Sequence, residues 1–170
     1  TQRALEILKK HLKEIQRIVP SGAVERLKEV NLWFNPEYPG VRPTAEYHPG
    51  AGWLKDNGRN PAMAKGVEFT DIKSFESETD RMPVFVLHEL AHAYHDRILG
   101  SNNSEVKAAY TRARDSKGYD KVERWHGTGK PITHERAYAM TNPMEYFAEC
   151  TEAFFGRNDF FPFDRKDLKV

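Results

Sequence analysis

Hydrophobic residues recur at steps of three and four along the first twenty positions. Leu5, Leu8, Leu12, Ile15 and Ile18 or Val19 mark one face, and Lys9, Lys10, Lys13 and Arg17 fill the other. This period predicts an amphipathic helix closed at Pro20, Ser21 and Gly22, with a solvated basic face. The pattern then changes. EVNLWF (Glu29 to Phe34), TAEYH (Thr44 to His48) and GVEFTDI (Gly66 to Ile72) are short segments separated by turn clusters such as NPEYPG and HPGAGW. They predict three strands.

After Asp80 the helical period returns. The first helix is predicted over Met82 to Leu99, with Thr79 or Asp80 as cap, Pro83 in the first turn and Gly100 just past the end. Leu87, Ala91, Tyr94 and Ile98 form its apolar face. A second helix is predicted over Ser104 to Ser116. A third starts at Asn142-Pro143, a capping residue followed by a first-turn proline, and stops at Phe155 before Gly156. Between them KGYDKVERWHGTGK (Lys117 to Lys130) reads as a long mobile loop. Strands first and helices after indicate an α+β fold, and 170 residues suit one domain spanning 1–170.

Composition narrows the function classes. Formal net charge is +1 with no basic stripe, so nucleic acid is not an expected partner. No run of about 18 apolar residues is present, so no membrane span is expected. Cys150 is alone, which excludes an internal disulfide and leans toward a reducing compartment. The chain opens TQRALEILKK, as a trimmed chain or one left after signal removal would, so the lack of a leader says nothing about the full-length protein.

The chemistry lies in VFVLHELAHAYHDRILG, where His88, Glu89 and His92 spell H-E-x-x-H. Residues i and i+4 share a helix face, so His88 and His92 can present two imidazole nitrogens to one ion. Glu89 sits one step round, placed to act as a base on water without being a ligand. Zinc suits such a donor set: it takes imidazole and carboxylate ligands and keeps a fourth position open. The motif would arise in roughly a few per cent of shuffled sequences of this composition, but its mid-helix setting beside a core makes unpaired histidines costly.

A third ligand is required. Metzincins place a histidine where this chain has Ile98, and a glycine where it has His95. Cys150 follows the motif, whereas the ligand cysteine of peptide deformylases precedes it. The remaining source is NPMEYFAECTEAFF, in which Glu145, Glu149 and Glu152 fall on one face at steps of four and three. Asn142 to Glu145 also has the spacing of a capping box, so spacing alone leaves Glu145 and Glu149 both open as ligand.

HELAH followed at a distance by YAMTNPMEYFAE resembles the zincin peptidases of the gluzincin group, and among them the anthrax lethal factor type of catalytic domain. The resemblance covers the two motif helices and the positions Tyr138, Asn142, Glu145, Phe147, Ala148 and Glu149. It implies a zincin-like domain with a small mixed sheet before a helical half carrying both motif helices. It further implies that His88, His92 and Glu145 bind one catalytic Zn2+, that Glu89 is the general base, and that Tyr138 stabilises the oxyanion. Glu149 then becomes the acid that holds a ligand histidine by its free N–H. The implied partner is a peptide or protein substrate; oligomeric state stays open. By analogy a secreted or cell-envelope setting is favoured, with a cytoplasmic one still open.

Several weaker expectations accompany this reading. His134 could stand in as oxyanion partner or proton shuttle, but a lone loop histidine is usually neither, and the same holds for His11, His48 and His126; His95 could flank the zinc face, with a surface position the expected one. GVEFTDI is the expected sheet edge for an extended substrate. Phe160, Phe161 and Phe163 are expected to pack together under the site. The rival functions are hydrolysis of a non-peptide amide and a silent zinc-binding or interaction domain; Glu89 argues against the silent one, because a structural site has no use for a base.

Overall fold

The structure, a computed structural model, describes residues 2–70 and 72–168. Helix α1 (Gln2–Ile18) buries Ala4, Ile7, Leu8, His11 and Ile15; of the expected face Leu8 and Ile15 are buried, while Leu5, Leu12 and Ile18 are only partly so. Pro20 does not end the helical region. It precedes a second, seven-residue helix, α2 (Ser21–Leu27), because a proline's missing N–H costs nothing ahead of a first turn.

The three expected strands form, each three residues long: β1 (Leu32–Phe34), β2 (Ala45–Tyr47) and β3 (Val67–Phe69). Asp71, the sixth residue of GVEFTDI, lies outside the described residues. Sheet order is β1-β3-β2, with β1 parallel and β2 antiparallel to β3. The strand expected at the edge is therefore the central one. All three residues of β3 are buried, as a strand covered on both faces requires. The free edge toward the helical half belongs to β2. Between β2 and β3 lies a short helix, α3 (Ala51–Asp56), followed by a 3-10 turn at Pro61–Met63.

The long helix expected from Met82 divides. Thr79 and Asp80 do not cap it; they belong to α4 (Phe75–Arg81). Met82 precedes Pro83, whose ring disfavours helical backbone in the residue before it, and Met82 accordingly sits at φ −128°, ψ 84°. Helix α5 (Phe85–Tyr94) starts beyond the proline and passes into a π-helical turn at His95–Gly100, where Gly100 takes φ +85°. Helix α5 is buried nearly all round: Phe85, Val86, Leu87, His88, Leu90, Ala91 and Ala93 are inaccessible. The expected apolar face holds for Leu87 and Ala91 but fails at Ile98, which the wider turn leaves exposed while His95 is buried.

The main core joins α1, α2, the sheet and α5 through Ile7, Leu8, Phe69, Phe75, Phe85 and Leu90, among others. Each such side chain contributes roughly 1.5–3 kcal/mol on burial. Helices α6 (Ser104–Asp115) and α7 (Pro143–Phe155) match expectation. The segment 117–130 is not a free loop. It holds β4 (Val122–Arg124), paired antiparallel with β5 (Thr133–Glu135), and Thr128 donates its N–H and its hydroxyl to Asp80, both at 2.8 Å. At Gly127, φ +105°, an added Cβ would lie 2.8 Å from Asp80 Oδ2, which explains the glycine. No helix among the described residues is long and apolar enough to cross a membrane.

Candidate metal centre

Helix α7 crosses α5, its most extensive helical neighbour, and brings Glu145 over the two histidines. Asn142 fixes the start of α7, its Oδ1 accepting from the N–H groups of Met144 and Glu145 at 2.8 and 2.9 Å. The capping box stays half-formed, because the Glu145 carboxylate turns to the histidines. His88 Nε2 and His92 Nε2 are 3.1 Å apart, and Glu145 Oε2 lies 3.2 Å from the first and 3.3 Å from the second. A tetrahedral ion with bonds of about 2.0–2.1 Å places its donors about 3.3–3.4 Å apart. The three donor atoms form a triangle of nearly that edge, one of three groups of such side chains among the described residues with mutually close donors.

Behind the triangle, His88 Nδ1 lies 2.6 Å from Glu152 Oε1 and 3.6 Å from Glu149 Oε1. With a carboxylate oxygen accepting there, Nδ1 carries a hydrogen, and loss of the other ring proton would turn the Nε2 lone pair to the triangle. The carboxylate within hydrogen-bond distance of His88 Nδ1 is that of Glu152, where Glu149 was expected. Glu149, four residues rather than seven past Glu145, sits beside the pair and does not reach.

Four carboxylates crowd around the two histidines, and burial and neighbouring charge shift their protonation. Burial pushes the Glu89, Glu149 and Glu152 carboxyls up, and Glu152 pushes Glu149 up further. Burial opposes ionisation of Glu145 too, but hydrogen bonds from both imidazoles bring it down to about 2. Burial likewise pulls His88 down, and is outweighed by Glu145 and Glu152, which raise it well above the usual imidazole range. Glu149 Oε2 and Glu152 Oε2 are buried with no hydrogen-bond partner among the described residues. A divalent cation at the triangle would answer this excess of carboxylate, and the donor set is of the type that zinc takes.

Glu89 points to the other side, toward the sheet. Its Oε2 accepts the backbone N–H of Tyr47 on β2 at 2.8 Å. It lines a cleft of about 890 Å3 together with Thr44, Ala45, Phe85, His88 and Tyr138, a volume that suits a ligand site. Tyr138 stands in a 3-10 turn (Tyr138–Met140) and is half exposed, and its hydroxyl makes no hydrogen bond among the described residues. Burial and then Glu145 raise its pKa. A smaller groove of about 320 Å3 between α1 and α4 contains His11 but no cluster of ligands.

Other expectations fare differently. His134 is exposed on β5 opposite Glu123, outside the cleft lining. His95 is not at the surface: it is 1% exposed, packed on the Phe147 ring, with neither ring nitrogen hydrogen-bonded among the described residues. His11 is buried near Thr79, and His48 against Glu68. Burial pushes the Cys150 thiol up to about 11. Of the tail aromatics only Phe160 is buried, with Val122, Ala139 and Met140; Phe161 is exposed beside Phe163. Sequence reasoning missed the role of Glu152, although its seven-residue step from Glu145 puts it on the same face. It also missed Tyr47, which no local pattern marks.

Fold and site together define an α+β chain with a His-His-Glu donor triangle whose His88, with the adjacent Glu89, lines a cleft. Comparisons with protein-family models, with curated proteins and with solved structures find no match.

Proposed function

We propose that the chain is a zinc-dependent metallohydrolase, and specifically a peptidase of the gluzincin type. The observation that carries this reading is the triangle of His88, His92 and Glu145 donors at 3.1–3.3 Å, with Glu89 beside it and facing an open cleft. Zinc held there would supply Lewis acidity and bring the pKa of a water to about 7.

The remaining chemistry belongs to the chain. Glu89 accepts the proton of the attacking water and returns it to the leaving amine. Burial, which raises its pKa, favours the first of these transfers. Tyr138, with a free hydroxyl on the cleft wall, donates to the oxyanion as it develops. Glu152 fixes the ring and tautomer of His88. An extended peptide suits the free edge of β2. Thr44 and His48 turn their backbone groups to β3, so alternation turns those of Ala45 and Tyr47 outward. Tyr47 N–H is taken by Glu89, which leaves Ala45 to grip a substrate backbone.

The test is zinc content by inductively coupled plasma mass spectrometry, followed by hydrolysis of a fluorogenic peptide library by wild type and Glu89→Gln. One equivalent of zinc is expected, with turnover falling about 10²–10⁴-fold in the variant while the zinc stays. A chain that stays free of zinc after incubation with it, or turnover that survives Glu89→Gln, overturns the proposal.

A further inference from the structure

The edge strand and the metal-binding helix are tied at two points by one residue. Tyr47 N–H donates to Glu89 Oε2 at 2.8 Å, and the Tyr47 hydroxyl donates to Asp96 Oδ2 at 2.6 Å. Glu89 and Asp96 are seven residues apart, two turns along one side of the helix, so the strand is pinned on both sides of His92. Lys65 completes the link, its Nζ also 2.6 Å from Asp96 Oδ2. Lys65 adopts φ +63°, a region that L residues enter at a cost and that glycine or asparagine fills more readily. Backbone geometry does not ask for lysine there, whereas the ammonium group has a use. Asp96 lies at the start of the π-helical turn, whose extra width sets the side chains beyond Tyr94 off the regular helical spacing.

We propose that Tyr47 is a positioning residue for Glu89. Its phenol, anchored by Asp96 and Lys65, fixes how far β2 stands from α5, and its N–H holds the Glu89 carboxylate at the cleft wall. The anchor is local and polar, and it sits where the apolar core gives least support: β2 is partly exposed along its whole length, unlike β3. This inference rests on the base role proposed for Glu89, but the contact itself is measurable without turnover.

The experiment follows the Tyr47 amide by 1H–15N NMR in the full chain, in wild type, Tyr47→Phe, Asp96→Asn and Lys65→Met. Amide hydrogen exchange at Tyr47 is expected to speed up about 10-fold or more in the first two variants and less in the third, while Glu46 and His48, paired to β3, keep their protection. Zinc content is expected to remain at the wild-type level. On a peptide that the wild type cleaves, kcat is expected to fall about 10–100-fold with KM within about twofold, since a small displacement of a reacting group is costly. Unchanged Tyr47 exchange in both Tyr47→Phe and Asp96→Asn overturns the clamp. So does faster exchange with unaltered kcat. Should no peptide be cleaved even by wild type, the peptidase reading fails, and the exchange data alone then decide whether the clamp exists.

Discussion

Two clusters in this molecule have nearly the same composition and opposite needs. His88, His92 and Glu145 bring three donor atoms together, and so do Glu46, His48 and Glu68. In the second cluster Glu68 is 1% exposed yet fully served: Asn35 and Tyr38 donate to one oxygen at 2.7 and 2.6 Å, and His48 and Arg59 to the other at 2.8 and 3.0 Å. Arg59 also donates to Glu46 at 2.7 Å and lies between the rings of Tyr38 and Trp53. Its guanidinium is the counter-charge. No arginine or lysine pairs with Glu145, Glu149 or Glu152 among the described residues. Counter-charge, more than the residue types, distinguishes the second cluster from the first.

The largest effects should fall on the first cluster alone. Glu145→Ala is expected to remove zinc, lowering affinity beyond the 10–100-fold typical of losing a residue behind a ligand, and to abolish turnover. His48→Ala should leave zinc content at the wild-type value. Equal zinc loss in both variants, read by mass spectrometry after dialysis, would dissolve the distinction.

Arg59→Met sharpens it. Removing one partner of a buried charge pair costs about 3–5 kcal/mol, to be read from urea unfolding. The same variant leaves Glu46, His48 and Glu68 without their cation. If counter-charge is the criterion, zinc should then recover much of the lost stability, and a second equivalent should appear. A variant that unfolds at the wild-type urea midpoint would show that Arg59 is a bystander.

Next in size is Glu152→Gln, expected to weaken zinc binding about 10–100-fold by loosening His88, with Glu149→Gln weaker in effect. The ranking measures what could be read from the sequence. Glu145, Glu149 and Glu152 share one helix face, so periodicity brings all three to α5, and Asn142-Pro143 marks where their helix begins. Which carboxylate meets which nitrogen depends on how deep α7 sits against α5, and that is set by distant packing. The same limit applies to the sheet. Three strands are visible as three apolar runs, but the order β1-β3-β2 is a matter of pairing between residues 20 to 35 apart. Helices of six or seven residues, such as α2, α3 and α4, are too short for the period to declare itself, and the π-helical turn breaks the period that predicted Ile98 inside and His95 outside.

A pH dependence separates the clusters again. In the zinc-free chain His88 and Glu149 both have folded pKa values above their ordinary ones. The folded state therefore holds more protons than the unfolded, and stability from these groups is lost as pH rises from the unfolded values through the folded ones. Glu145 acts in the opposite sense, but between its usual 4.5 and about 2, below the range of the experiment. The melting temperature of zinc-free protein is expected to fall from pH 7 to pH 8, above the ordinary imidazole value, where His11 and His95, both pulled down by burial, no longer oppose the trend appreciably. Zinc should reverse the slope, because the ion requires imidazoles without a proton on the ligating nitrogen. Parallel slopes with and without zinc would place the ion away from His88.

The smallest expected effect tests whether the first cluster depends on the start of its helix. Asn142→Ala removes an acceptor for the N–H groups of Met144 and Glu145, at a cost of about 1 kcal/mol in thermal or urea unfolding. The loss should be greater in zinc-free protein than in zinc-loaded protein. Glu145 lies in the first turn of α7, where the positive end of the helix supports its carboxylate, and an ion bound to that carboxylate would itself hold the turn in place. Nothing comparable links the second cluster to a helix terminus, since Glu46 and Glu68 are strand residues paired with each other across β2 and β3. An Asn142→Ala loss that zinc does not reduce would mean that the cap serves α7 alone and that Glu145 is placed by its contacts with α5.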